Sequence, residues 1–311
     1  MTTRSIRQQF ADTMLEVGQA DPRLCVLVGD ISHFILQPFA KACPGRYYNI
    51  GICEPSMVSV AAGLAKTGLY PVVHTIAPFL IERSFEQFKL DFVYHGLGGS
   101  VITVGGAFDY SNLGCTHHCY GDFALMKTLP GTRIYHPATA SELDTLFKAT
   151  YRDACLRLYR LPARSHGVKL SSAVEPGRIV RVREGSDVTL VATGPQLDSA
   201  VGAAERLAAS GHSAEVLYVP TIRPLDTETL GRSVSRTGRV VVIEEHLTSG
   251  GLGDDVLRAL AGKTPLAYRS VSIPDRLVTD YGTYDQHCVR LGLTPEGVER
   301  AAREILTPQR A

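Results

Sequence analysis

A chain of 311 residues with 44% apolar content, 29 glycines and 17 prolines is long enough to bury a large core, and its length suggests about two domains. The 32 basic and 31 acidic side chains nearly cancel and form no dense basic block, so charge gives no reason to expect nucleic acid or an anionic membrane as partner. The seven cysteines, Cys25, Cys43, Cys53, Cys115, Cys119, Cys155 and Cys288, are odd in number, and the start MTTRSIRQQF has no long apolar run; a reduced, cytoplasmic protein is the expectation.

In chain order, residues 5–19 carry Ile6, Phe10, Met14 and Val17 at helical spacing, and the apolar run LCVLVG at 24–29 reads as a buried strand. The alternation then repeats. Residues 57–68 read as a helix ended by glycine, 70–76 as a strand and 83–95 as a helix. Residues 100–106 are strand-like, 122–129 helical, 132–138 a strand running into proline, and 154–160 a further strand. The polar stretch RSHGVKLSSAVEPGRIVR at about 164–181 predicts a linker or edge hairpin. Beyond it, DVTLVATG and RVVVIEE read as strands, AEVLYVPTIRPLD as strand and loop, and QLDSAVGAAERLAASG, DDVLRALAG and LTPEGVERAAREIL as helices. Such alternation predicts an α/β chain of two helix-covered, mostly parallel-sheet domains, residues 1–170 and 171–311.

Parallel sheets place ligands at the C-terminal ends of their strands. This reading puts GDIS at 29–32, ICEP at 52–55, HTIAPF at 74–79 and GCTHHCYGD at 114–122 in that position. No GxGxxG follows the first strand, and neither a GxxxxGK[ST] phosphate loop nor a GxSxG elbow occurs. Cys115 and Cys119 flank two histidines, all ligand types for zinc, but the groups are crowded and no second cluster accompanies them, so no metal site is expected. From the residues alone, Glu54 reads as a solvated turn acid or as the partner of a helix N-terminus.

The ordered motifs GD, NIGICEPSM with AAGLA, HTIAPF, THH before an acid, LPG, VATG, YVPTIRPLD and VVIEEH with GGLG resemble the thiamine-diphosphate-dependent transketolase superfamily over nearly all of the chain. The likeness is to its pyrimidine-binding domain followed by its C-terminal domain, half of an ordinary transketolase. In that family the domain that holds the diphosphate through magnesium carries GDG and a downstream asparagine, and no GDG occurs here. The resemblance implies one subunit of a split, two-chain enzyme. Its cofactor is thiamine diphosphate, its magnesium is held mainly by a partner subunit with the missing domain, and two copies of each chain form a heterotetramer.

The resemblance also implies roles for residues. A carboxylate matching Glu54 contacts a ring nitrogen of the aminopyrimidine in that family and promotes loss of the thiazolium C2 proton, which gives the acid of ICEP a chemical purpose. Phe79 resembles the aromatic that stacks on the pyrimidine. Ile76 stands where a second aromatic is common, and Asp30 falls at an acid near the thiazolium. His117 matches the histidine that points toward the substrate, and His118 replaces the usual glutamine. His33 and His74 are candidates to line the pocket, with the alternative that each satisfies backbone groups. Leu113 stands where sugar-handling members carry an acid that engages a donor hydroxyl, which disfavours an ordinary ketose phosphate donor. Arg160 matches the arginine that meets an acceptor's phosphate, with Arg157 and Arg164 as competitors. Glu244 and Glu245 fall in a region that supports the C-terminal fold.

The implied activity is transfer of a two-carbon ketol unit from a ketose or ketose phosphate to an aldehyde, with Glu54 and His117 as the catalytic groups. Two alternatives stay open: a beta-type subunit of another thiamine-dependent carboligase or 2-oxo-acid decarboxylating enzyme, and a non-catalytic interaction protein that keeps the fold. Alone, the chain is expected to bind the cofactor very weakly and turn nothing over.

Overall fold

The alternating segments fold into two sheets in a computed structural model that describes residues 4–262 and 266–307. Ser5 caps α1 (Ile6–Ala20) by accepting from the Gln8 amide, and the helix buries Ile6, Phe10, Met14 and Val17, the face its spacing predicts. β1 (Leu24–Val28) is buried throughout, as an apolar strand covered on both faces must be. α2 (Gln37–Ala42), β2 (Tyr47–Asn49), α3 (Glu54–Lys66) and β3 (Tyr70–Ile76) follow. α3 starts at Glu54, earlier than the expected residue 57, because Pro55 fits a first helical turn, where its missing N–H is not needed.

From Pro78 to Val93 the chain is helical without being the single α-helix expected at 83–95. Wide turns at Pro78–Glu82 and Phe88–Val93 flank the short α4 (Phe85–Gln87). The Arg83 amide donates to the Pro78 carbonyl, the longer bond of a π turn. β4 (Gly99–Val104), α5 (Asp122–Lys127), β5 (Arg133–Tyr135), α6 (Ala140–Thr150) and β6 (Leu156–Leu161) complete the first half. The second half runs β7 (Val180–Arg183), β8 (Val188–Ala192), α7 (Leu197–Ala209), β9 (Ala214–Tyr218), β10 (Thr221–Arg223) and α8 (Thr227–Thr237). β11 (Arg239–Leu247), α9 (Leu252–Leu260), β12 (Ala267–Ile273), α10 (Tyr284–Leu291) and α11 (Pro295–Leu306) close it.

The first sheet has the order β10-β5-β6-β4-β3-β1-β2 and the second β12-β11-β8-β9-β7. Pairing is parallel except for β10 on β5 and β7 on β9. The expected division at residue 170 falls between β6 and β7, yet β10, from beyond it, is an edge strand of the first sheet. The two halves are thus stitched by a strand whose flanking prolines, Pro220 and Pro224, suit an edge. No helix among the described residues is long and apolar enough to cross a membrane.

β3 also holds His74, which is fully buried. Its Nδ1 donates to the Ile102 carbonyl at 2.9 Å, and its Nε2 meets the Ser32 hydroxyl at 2.9 Å. Both nitrogens are taken up by the fold, so His74 anchors the loop after β1, which corrects its reading as a pocket-lining residue and agrees with the alternative that it satisfies backbone groups. Burial pushes its pKa down to about 4. A histidine whose folded pKa lies below its unfolded value stabilises fully above the unfolded value, and that contribution is lost as pH falls toward the folded one. The stability difference between wild type and His74→Gln, read from urea unfolding, is therefore expected to shrink by about 2 kcal/mol between pH 7 and pH 5. A difference that stays constant contradicts this reading of His74.

Candidate active site

The loops that follow the strands of the first sheet are tied to one another before any functional side chain is considered. Asn49, at the end of β2, accepts from the amides of Asp30 and Gly51 at 3.1 Å each and donates to the Asp30 carboxylate at 3.1 Å. The loops carrying GDIS and ICEP are therefore one unit. Asp30 itself adopts a φ of 54°, a left-handed conformation that an aspartate tolerates when its side chain bonds locally. Arg7 of α1 donates to the Ser32 hydroxyl at 2.8 Å and braces the same loop.

Glu54 opens α3 with its side chain only 1% exposed. The Arg83 guanidinium donates to Oε2 at 2.7 Å, whereas Oε1 is buried with no hydrogen-bond partner among the described residues. Arg83 also lies over the Phe79 ring, 4.5 Å from its centroid. Phe79 meets the His117 ring edge-on at 5.2 Å, and Tyr110 meets the same imidazole edge-on at 6.3 Å. A side chain at Gly105 would strike the Tyr110 ring at 2.3 Å and approach Ile76 at 3.2 Å, so this glycine lets Tyr110 and Ile76 close together. Thr116 engages His117 through Nδ1 at 3.0 Å, and no protein group among the described residues bonds its Nε2. Glu54, Phe79, Ile76 and His117 are thus gathered around Arg83 and Tyr110.

Beside Tyr110, a cavity of about 580 Å³ opens at the ends of β4 and β6, lined among others by Arg7, Gly105, Asp109, Pro162 and Arg164. Burial, reinforced by the negative charge of Glu245, pushes Asp109 up to about 8. The cavity wall therefore carries three guanidinium groups, Arg4, Arg7 and Arg164, beside a carboxyl that resists ionisation; Arg4 pairs with Asp12 and Arg164 with Asp285, which leaves Arg7 without a carboxylate partner among the described residues and the wall suited to an anionic group.

Arg160 is not part of that wall. It is 1% exposed on β6, donates to the Glu245 carbonyl at 2.9 Å and to Asp122 at 3.4 Å, and lies over the Phe123 ring at 4.9 Å. A side chain at Gly106 would stand 2.3 Å from its Nε, so the backbone seals it in. The expectation that Arg160 meets a substrate phosphate is corrected: it joins the two halves of the chain. Arg157 is likewise buried, donating to Tyr70 Oη and to the Asp153 carbonyl, which leaves Arg164 as the member of RLYRLPAR that reaches the cavity.

His118 is buried, unlike His117. It packs edge-on at 5.6 Å against His287 of α10, with neither ring nitrogen bonded among the described residues; burial, then His287, holds its pKa down. It is placed as a packing residue of the seam and not beside Phe79. His33 packs on Phe34 at 3.9 Å, and Leu113 is half exposed in the turn before His117. Cys119 is buried opposite Ala107 while Cys115 is exposed, and no group of three or more His, Cys, Asp or Glu side chains could hold a metal among the described residues. Glu244 accepts from the Leu252 and Gly253 amides at the start of α9, and Glu245 accepts from Gln196 and Tyr284; both serve the second half of the fold. The residue that sequence reading misses is Arg83. A lone basic residue in ERSFEQF carries no signal beyond a solvated helix face.

Comparison with known proteins adds to this geometry. Residues 2–163 match "Transketolase, pyrimidine binding domain" and residues 177–298 match "Transketolase, C-terminal domain". The chain belongs to the transketolase family. It is 33% identical over 307 residues to the 6-deoxy-6-sulfo-D-fructose transketolase subunit SqwH of Clostridium sp. (strain MSTE9), covering 96% of this chain and 94% of that subunit. A subunit of the apulose-4-phosphate transketolase of Phocaeicola vulgatus is 31% identical over 96% of this chain and 97% of its own. A 1-deoxy-D-xylulose-5-phosphate synthase of Symbiobacterium thermophilum is 33% identical over 97% of this chain, which spans 47% of that enzyme. A solved structure described as "Split gene transketolase, inactive beta4 tetramer" has a TM-score of 0.88 at 31% identity, over 99% of this chain and 100% of its own. Two α/β domains in this order, over this length, are what split-gene transketolase subunits present.

Proposed function

We propose that the chain is the pyrimidine-binding subunit of a two-chain transketolase, transferring a two-carbon ketol unit from a ketose donor to an aldehyde. A partner subunit completes the site with the diphosphate-binding domain and its magnesium. The observation that carries this reading is Glu54: a buried carboxylate at a helix start, one oxygen unpartnered among the described residues, joined through Arg83 to an aromatic ring that a histidine meets edge-on. An unpaired buried acceptor is costly unless a donor arrives. A ring nitrogen of the aminopyrimidine fits that need, and Phe79 with Ile76 offers the apolar wall a planar ring requires.

Bound thiamine diphosphate supplies the nucleophilic carbon that accepts and hands on the two-carbon unit. This chain's residues orient the chemistry and handle protons. Glu54 holds or shares a proton at the pyrimidine ring nitrogen. His117, steadied at Nδ1 by Thr116, offers Nε2 to a substrate oxygen, where it can hold or move a proton. Asp30, fixed by Asn49, stands on the loop joined to Glu54. Arg7 and Arg164 give the neighbouring cavity its attraction for an anionic group. Ile52, Val60, Leu90 and Tyr94 are exposed around this face, and Ser59 bonds Asp91 at 2.6 Å to hold α3 against the Phe88–Val93 turn. We assign this apolar surface to the partner subunit, with two copies of each chain as the closed assembly.

Leu113 bears on the donor. The loop before His117 presents an apolar side chain, half exposed, and no carboxylate to engage a hydroxyl. Two similar proteins are described for 6-deoxy-6-sulfo-D-fructose and apulose 4-phosphate; we infer a modified ketose here as well. In the assembled enzyme, kcat/KM for xylulose 5-phosphate is expected at least about tenfold below that for a donor altered at the hydroxyl facing Leu113. An ordinary transketolase rate on xylulose 5-phosphate removes this part of the reading.

A further inference from the structure

Two features set Arg83 apart from the other arginines of the first sheet. Arg157 and Arg160 are sealed in and held by several backbone carbonyls and side chains. Arg83 is 44% exposed, and among the described residues its guanidinium has a single hydrogen-bond acceptor, Glu54, and a single stacking surface, Phe79. These are the two groups that the proposed function gives to the aminopyrimidine, one for its ring nitrogen and one for its face.

We propose that Arg83 is an internal stand-in for the aminopyrimidine: in the free chain its guanidinium bonds Glu54 and covers Phe79, and it withdraws into solvent when the cofactor's ring takes those contacts. The chemistry of the two groups supports the substitution. A guanidinium and an aminopyrimidine are both planar, both present N–H donors at an edge, and both stack on an aromatic ring. The exchange is feasible because the two partners differ in freedom. Glu54 is fixed at the start of α3 and has no exposed surface to retreat to, so its charge needs a counterpart whenever the ring is absent. Arg83 sits at the end of the Pro78–Glu82 turn on a long stem with one side in water, so it can leave. Arg83 thereby protects a buried carboxylate before assembly and competes with the ligand for it.

The proposal rests on the reading of Glu54 and Phe79 as a pyrimidine site, and the test separates the two. Full-length wild type, Arg83→Met, Arg83→Lys and Glu54→Gln are titrated with 4-amino-5-hydroxymethyl-2-methylpyrimidine by ligand-observed NMR. Methionine keeps the stem without donors. Lysine keeps a charge for Glu54 without a planar face, and carries the test if the methionine variant does not fold. The expected result is affinity tighter than wild type by at least about threefold in the Arg83 variants, the scale of one exposed cation–π contact, and weaker in Glu54→Gln. Unchanged or weaker binding in the Arg83 variants, with Glu54→Gln still impaired, overturns the stand-in role and leaves the site reading intact. Binding by none of the four, the Arg83 variants that leave Glu54 and Phe79 open included, also overturns the stand-in role, while the pyrimidine reading is tested separately in the assembled enzyme by Glu54→Gln.

Discussion

Glu54→Gln in the assembled enzyme is expected to slow exchange of the cofactor's C2 proton by at least about 100-fold, as loss of a positioned acid–base group does. Glutamine is nearly the same size, and in the free chain its carbonyl can still accept from Arg83, so the helix start should survive through assembly. What it cannot do is pass a proton to and from a ring nitrogen. Hydrogen–deuterium exchange at C2, followed by NMR after acid quench, isolates that step from substrate binding and product release. Exchange at the wild-type rate would mean that another group activates the ring and that Glu54 is a structural partner of Arg83 alone.

Arg160→Met is expected to lower stability by about 3–5 kcal/mol, the cost of breaking a buried ion pair from one side. Asp122 is fully buried, burial pushes its pKa up, and Arg160 is the strongest influence opposing that rise. Glu245, on β11, presents its carbonyl to the same guanidinium, so the change also loosens the junction between the two halves of the chain. Urea unfolding of wild type and variant measures the loss, and Arg160→Lys should recover little of it, because an ammonium cannot match the fork that reaches both acceptors while stacking on Phe123. A variant of wild-type stability with only a raised KM for a phosphorylated acceptor would instead return Arg160 to the substrate site.

The residues that sequence makes legible are those whose meaning is local. α1 shows its buried face through spacing, and the strand and helix alternation of both halves follows from short apolar runs between amphipathic ones. Glu54 and Phe79 stand out because each sits in a short motif after a strand, and the structure joins the two through Arg83. Partners distant in sequence are not legible. Arg83 meets Glu54 across 29 positions, and nothing in ERSFEQF records that meeting. His74 and Arg160 lie in or beside motifs that carry function elsewhere in the fold, yet both ring nitrogens of His74 are taken by Ser32 and Ile102, and Arg160 Nη1 and Nη2 by Asp122 and the Glu245 carbonyl. Such satisfaction depends on tertiary contacts that periodicity does not report. α6 escapes the sequence reading although Thr139 caps it and Leu143, Leu146 and Phe147 line its buried face. β10 is too short, at three residues, for a period of two to show.

The central claim is that this chain is half of a catalytic unit. The most direct test is affinity purification of the chain from its native extract, with mass spectrometry of co-eluting proteins and an assay of the complex for thiamine diphosphate. The account predicts a stoichiometric partner carrying GDG and a downstream asparagine, with the cofactor bound to the pair. Elution without such a partner and without cofactor would contradict it and leave a transketolase fold without transketolase chemistry.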